Sequence, residues 1–207
     1  MLSCYQQRTE PTASSGEWHH LEVTTPPTDR RSTIMLEAVA AEIEAFVGGS
    51  GWDRGPTLFA LVPTRLLAAD PAAAAFVSDA LTDVEEISPD AITPIAQEEL
   101  PAGALDEALA QIGWPEEVVG CALSQEIVML PPTAEPELDD LPVESAASIA
   151  LDHPDRREAR LVVAVLRDGQ VASILRLRGA AGTAEDLLTG PDLAPNLAAA
   201  LTGTLAD

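Results

Sequence analysis

Three histidines, His19, His20 and His153, are the side chains of this 207-residue sequence best suited to act as a neutral-pH base or to hold a metal. His19 and His20 are adjacent and have no further Cys or His beside them, so they cannot close a tetrahedral site; no metal is expected. His153 stands in Leu151-Asp152-His153-Pro154-Asp155, where a neighbouring carboxylate suits an acid-base pair. A helix end with His near the C-terminal dipole and Pro154 as its stop accounts for the same residues without chemistry. Ser50 fails as a GxSxG nucleophile because Trp52 occupies the place of the second glycine. Cys121 lies in an apolar run with no neighbouring cation to lower its pKa. All eleven basic residues are Arg; the lack of Lys excludes a GxxxxGK[ST] phosphate loop and Schiff-base chemistry. No catalytic residue and no cofactor is expected from this inventory.

Carboxylates are so numerous that pairs such as Glu85-Glu86 and Glu116-Glu117 arise by chance and read as solvated charge. Arginine is distributed unevenly. Arg156, Arg157, Arg160, Arg167, Arg176 and Arg178 make six of the eleven and surround the dipeptide Asp168-Gly169. A basic strip on an acidic body recognises a carboxylate or phosphate through bidentate contacts, or pairs within the molecule, for example with the acidic stretch Glu135 to Asp140. The candidate partner-binding residues are Trp52, Asp53, Arg54, Trp114, Arg160, Arg176 and Arg178. A competing reading, a ligand-binding or hydrolytic cleft, requires at least three of Asp53, Arg54, Asp152, His153 and Arg176 to converge within hydrogen-bond reach in a concave pocket.

These residues need a scaffold. Residues 1–30 are polar, contain Pro11, Pro26 and Pro27 and lack periodicity, so a disordered arm is expected before a single domain over 31–207. Met35, Val39, Ile43 and Phe46 recur at helical spacing. Thr57 to Val62 reads as a buried strand, and a helix is expected from Thr64 to Leu81 with a kink at Pro71. Ala91 to Gln97 contains Pro94 and belongs at a sheet edge or bulge. A helix marked by Leu105, Leu109 and Ile112 and a central strand over Val118 to Leu130 follow. Pro131 to Pro142 reads as an acidic loop and Val143 to Leu151 as a short helix. Asp168-Gly169 between Arg160 to Leu166 and Val171 to Arg178 suits a two-residue type I′ hairpin, which would set Leu161 opposite Arg176 and Val163 opposite Ile174. A helical turn is expected over Thr183 to Leu188, and Leu193, Leu197, Leu201 and Leu205 mark a closing helix capped by Asp192. The fold class is α+β, with α/β as the alternative: a mixed sheet of about five strands flanked by helices. The phrase helix, Gly-Trp, strand occurs at Gly51-Trp52 and at Gly113-Trp114, which raises an α-β-α-β repeat over 32–97 and 103–166.

Eleven basic against 34 acidic residues give a net charge of −23, a field that repels nucleic acid and anionic membranes. Two cysteines cannot form a disulfide framework, the first residues lack a signal-peptide pattern, and no run is long enough to span a bilayer. A cytoplasmic location is expected. The partner is then expected to be a protein, or a second copy covering an exposed apolar sheet face.

The run Gly51-Trp52-Asp53-Arg54-Gly55-Pro56-Thr57-Leu58-Phe59-Ala60-Leu61-Val62-Pro63-Thr64, with Thr93-Pro94-Ile95, Ile112-Gly113-Trp114-Pro115 and Leu166-Arg167-Asp168-Gly169, resembles an actinobacterial family of uncharacterised proteins. The resemblance covers about residues 32–207 and departs from the family pattern at Gly55, where a second proline is expected. It implies no activity and assigns no site residue. The reading that follows is a non-catalytic interaction, adaptor or chaperone-like module.

Overall fold

A computed structural model describes residues 27–69, 88–97, 100, 105–131, 134, 143–179 and 186–206. Its elements in order are α1 (Pro27–Gly48), β1 (Thr57–Pro63), α2 (Thr64–Ala69), β2 (Ile92–Ala96), α3 (Leu105–Leu109), β3 (Gly120–Met129), α4 (Val143–Asp152), β4 (Arg157–Leu166), β5 (Val171–Leu177), β6 (Leu187–Thr189) and α5 (Pro195–Thr204). The strands form one sheet in the order β2-β1-β3-β4-β5-β6, and every pairing is antiparallel. The fold is therefore α+β. Among the described residues its sheet has six strands where about five were expected, and it is antiparallel instead of mixed.

Strand alternation divides the core between two faces. Phe59, Leu61, Ala122, Val162, Ala164, Ala172 and Ile174 face α1, which contributes Leu36, Val39, Ala40, Ile43 and Val47. Small alanines at the centre of this face let the helix backbone come close. The other face presents Leu58, Cys121, Leu123, Leu161, Val163, Val165 and Leu175 to Leu109 of α3 and to Ala198 and Leu201 of α5. Leu67 of α2 packs with Ala60 and Val62 on that same side. Helices thus cover both faces of the central strands. The two Gly-Trp phrases follow helices on opposite faces: α1 on one, α3 on the other.

The buried stripe of α1 is rotated from the expected one. Leu36, Ala40 and Val47 join Val39 and Ile43, whereas Phe46 is 64% exposed, its ring meeting Phe59 edge-on at 6.2 Å. The helix begins at Pro27, inside the stretch expected to be disordered. β2 lies at the sheet edge as expected, with Pro94 opposite Leu61, where a missing N–H is tolerated. α2 is described only to Ala69, and the expected kink at Pro71 lies outside the described residues. Leu187 and Leu188 belong to edge strand β6, not to a helical turn. α5 is capped by Ala194, without a side-chain bond, and not by Asp192; Pro195 opens its first turn, where a missing N–H costs nothing.

The β4–β5 hairpin exists, but its register differs by one residue. Val165 faces Val171, Leu161 faces Leu175 and Arg160 faces Arg176. The loop is three residues, Arg167 to Gly169, closed by Gly169 N–H donating to Leu166 O at 3.0 Å and Leu166 N–H donating to Gln170 O at 2.9 Å. Gly169 alone takes a positive φ, +88°, and Asp168 does not, so this is a turn with a left-handed glycine instead of a type I′ pair. The Asp168 carboxylate accepts from Gln170 N–H at 3.1 Å and from Gln170 Nε2 at 2.7 Å, which holds the bend. The register sets two arginines directly opposite on the α1 face. Like charges in that relation are destabilising unless a counter-charge intervenes.

Candidate functional site

The counter-charge is Glu44, in the last turns of α1. It sits beside Ile43 on the buried side of the helix and is only 3% exposed. Arg176 grips it with a fork, Nε donating to Oε1 at 2.7 Å and Nη2 to Oε2 at 2.8 Å. Arg160, 2% exposed, donates from Nη1 to Glu44 Oε1 at 3.4 Å. On its other flank Arg160 faces Glu126 of β3, with Nη2 3.8 Å from Oε1. A row Glu126, Arg160, Arg176 therefore runs across three strands, with Glu44 laid over it from the helix. Arg160 Nε is buried without a hydrogen-bond partner, a cost tolerated because the remaining donors are placed by charge.

The loop after α1 closes over this row. Gly51 O accepts from Arg160 Nη2, and the Trp52 ring lies 4.4 Å from the Arg160 guanidinium and 5.3 Å from that of Arg178. Asp53 has φ 65°, the only positive value at a non-glycine among the described residues, in a conformation that short polar side chains tolerate. Its N–H and that of Arg54 donate to Glu126 Oε2 and Oε1 at 2.9 and 3.2 Å. Arg54 Nε donates to Ser50 O at 3.3 Å. Arg178 forks onto Asp53, Nη1 to Oδ1 at 2.9 Å and Nη2 to Oδ2 at 3.1 Å, and Nη1 reaches Glu158 Oε2 at 2.6 Å. Hydrogen bonding from Arg178 and then its charge hold the Asp53 carboxyl below the ordinary aspartate range. The same bonds to Asp53 and Glu158 push the guanidinium of Arg178 further toward its charged form.

Beside this cluster opens a polar hollow of 470 Å³ lined by Pro154, Arg156, Arg157, Glu158, Arg178 and Gly179. Arg156 makes one distant ion pair there, Nη2 to Glu158 Oε1 at 3.8 Å. Arg157 has neither an ion pair nor a hydrogen bond from its side chain among the described residues.

Six of the seven candidate partner-binding residues thus come together: Trp52, Asp53, Arg54, Arg160, Arg176 and Arg178. Trp114 does not. Its Nε1 donates to Thr204 Oγ1 at 3.0 Å on the opposite face, and Arg167 fixes the same joint by donating to Val118 O at 2.9 Å, Trp114 O at 3.1 Å, Pro115 O at 3.3 Å and Leu205 O. The second Gly-Trp loop is thereby tied to the hairpin turn and to the end of α5. Of the five residues of the cleft reading, Asp53, Arg54 and Arg176 belong to this cluster, but each is bound to another residue and none of the five lines the polar hollow. Asp53 is committed to Arg178, Arg54 to Glu126 and Ser50, Arg176 to Glu44, and His153 Nδ1 accepts from Asp155 N–H at 3.1 Å within its own turn, while Asp152 is exposed.

The arginines find their acids in Glu44, Glu126 and Glu158, none of which was a candidate. The acidic stretch Glu135 to Asp140 lies outside the described residues, as do His19 and His20. Glu44 falls within the arc of Ala40, Ile43 and Val47 that only the structure shows to be buried, and a charge there needs a partner.

No curated protein and no solved structure matches the chain. A family model described as PPA1309-like protein matches residues 36–206, from the buried stripe of α1 through the end of α5. That span includes every residue of the arginine cluster and its acids, and the chain belongs to the family of PPA1309-like proteins.

Proposed function

We propose that the protein is a non-catalytic interaction module that docks an acidic segment of a protein partner at the arginine-lined hollow between Arg156, Arg157 and Arg178. The observation that carries this reading is the surplus of cation there. In a chain of net charge −23, three of eleven arginines line one open hollow with a single carboxylate, and Arg157 is uncommitted among the described residues. Arg160 and Arg176 are not contact residues in this account; with Glu44 they hold the platform rigid, and Trp52 and Asp53 fix the orientation of Arg178. A guanidinium held in place loses less freedom when it grips a carboxylate. The acidic remainder of the surface disfavours nucleic acid and anionic membrane, leaving a local acidic peptide as the matching ligand.

We further place the protein in the cytoplasm of an actinobacterium. No described helix is long and apolar enough to cross a membrane, and a sequence with eleven arginines and no lysine suits a high-GC genome. The test is titration of the full chain with a labelled Glu-rich peptide, read by anisotropy at low and high salt. Binding that weakens with salt, falls at least about tenfold in the Arg156→Glu/Arg157→Glu variant and is retained in Arg65→Glu at the opposite end of the sheet supports the reading. Equal binding by all three proteins, or none by the unaltered chain, overturns it.

A further inference from the structure

A second cavity, of 320 Å³, lies at the opposite end of the sheet, between the first described turns of α1 and the ends of β1, β3 and β4. Its wall is largely apolar: Met35 from the helix, Ile92 at the start of β2, Val119 just before β3 and Leu166 at the end of β4. The volume is at the small end of ligand sites, which span about 300–1,000 Å³. Four charged side chains also line it. Arg167 is committed to backbone carbonyls, and Asp168 to Gln170 across the hairpin turn. Arg65, in the first turn of α2, and Asp90, just ahead of β2, form no side-chain hydrogen bond or ion pair with each other or with any other described residue.

An open, largely apolar hollow lined by one exposed cation and one exposed anion, neither paired among the described residues, selects for a particular ligand chemistry. A simple carboxylate would satisfy Arg65 but face Asp90 in a molecule already at −23, and a simple amine would meet the converse mismatch. A fully apolar ligand would strip water from both charges without replacing it. A small zwitterion with an apolar body meets each requirement. We propose that this cavity is a binding site for an apolar α-amino acid, its carboxylate on the Arg65 guanidinium, its ammonium on Asp90 and its side chain against Met35, Ile92, Val119 and Leu166. The arginine fork suits the carboxylate, and the ammonium is a point charge that one aspartate neutralises. The site shares no residue with the arginine-lined hollow, so each can be tested without the other.

The experiment is calorimetric titration of the full chain, paired with thermal melts, using L-leucine and L-phenylalanine as probes. Isocaproate and isoamylamine, which are leucine without its amine and without its carboxylate, serve as the single-charge controls. At least one amino acid is expected to bind saturably and to raise the melting temperature, with both controls at least about tenfold weaker. Arg65→Gln and Asp90→Asn are each expected to weaken binding by at least about tenfold while leaving the unliganded melting temperature in place, since both side chains are exposed and unpaired among the described residues. Failure of both amino acids to bind, isocaproate or isoamylamine binding as well as leucine, or undiminished binding in both variants overturns the proposal.

Discussion

Glu44 is the residue on which the arginine cluster depends, because its carboxylate is what allows Arg160 and Arg176 to face one another beneath α1. Removing one member of a buried charge group leaves the others uncompensated, which costs about 3–5 kcal/mol. Glu44→Gln is therefore expected to lower the stability measured by urea unfolding by about that amount, and a loss below about 1 kcal/mol would show that water already reaches the cluster. Cys121 is the second informative residue. Burial pushes its thiol up from 9.0 to about 11, against smaller opposing effects of the Thr204 hydroxyl and the Arg167 charge. A thiol whose folded pKa is raised contributes stability that is fully present below pH 9.0 and lost as pH rises through about 11. In a Cys4→Ser protein at pH near 8, Ellman's reagent is expected to leave the folded chain unmodified and to react on unfolding; prompt reaction of the folded protein would contradict this burial. At this scale the clustering of arginines could be read from the sequence, but not the packing of Trp52, expected at a partner contact, over Arg160 and Arg178. Nor could the acidic partners of the arginines, because an isolated Glu on a helix reads as solvated until the strand register places two cations beneath it.

At the scale of elements, periodicity located helices and strands well wherever one pattern acted alone. Pro94 marked the edge strand because a missing donor has few other places in a sheet. The hairpin existed as read, but its register slipped because the Asp168 carboxylate secures Gln170 and leaves Gly169 as the single left-handed residue. The buried stripe of α1 differs from the expected one because Leu36 and Ala40 compete with Met35 and Phe46 for the same periodicity, and only the alanine-lined sheet face decides between them. Gly120, by contrast, is fixed by neighbours far away in sequence. A Cβ there would meet Val165 O at 2.3 Å and Leu166 Cδ2 at 2.7 Å. Because the first obstacle is backbone, Gly120→Ala is expected to cost at least the roughly 1–3 kcal/mol of an overpacked core, measured by denaturant midpoint. Gly113→Ala, with nothing within 4 Å of its Cβ, is the control expected to change stability by less than about 1 kcal/mol. Equal effects of the two substitutions would contradict the β3–β4 packing.

Taken as a whole molecule, the chain places two chemically distinct hollows at opposite ends of one antiparallel sheet whose central strands are covered by helices on both faces. The net charge and the missing lysine are evident from composition and leave arginine as the one basic residue type. The ends of the sheet were not evident, since they are assembled from turns and strand termini far apart in sequence. The interaction reading depends on whether the arginine end meets a partner in the cell. A photoreactive amino acid placed at Arg157 in the full chain, with the same probe at Glu37 on the exposed side of α1 as control, tests this directly in native lysate of the source cells. A reproducible adduct is expected at position 157 that is absent at position 37, diminishes with added salt and disappears when Arg156 is also replaced by Glu. Adducts that are the same at both positions, or none at position 157, would contradict it.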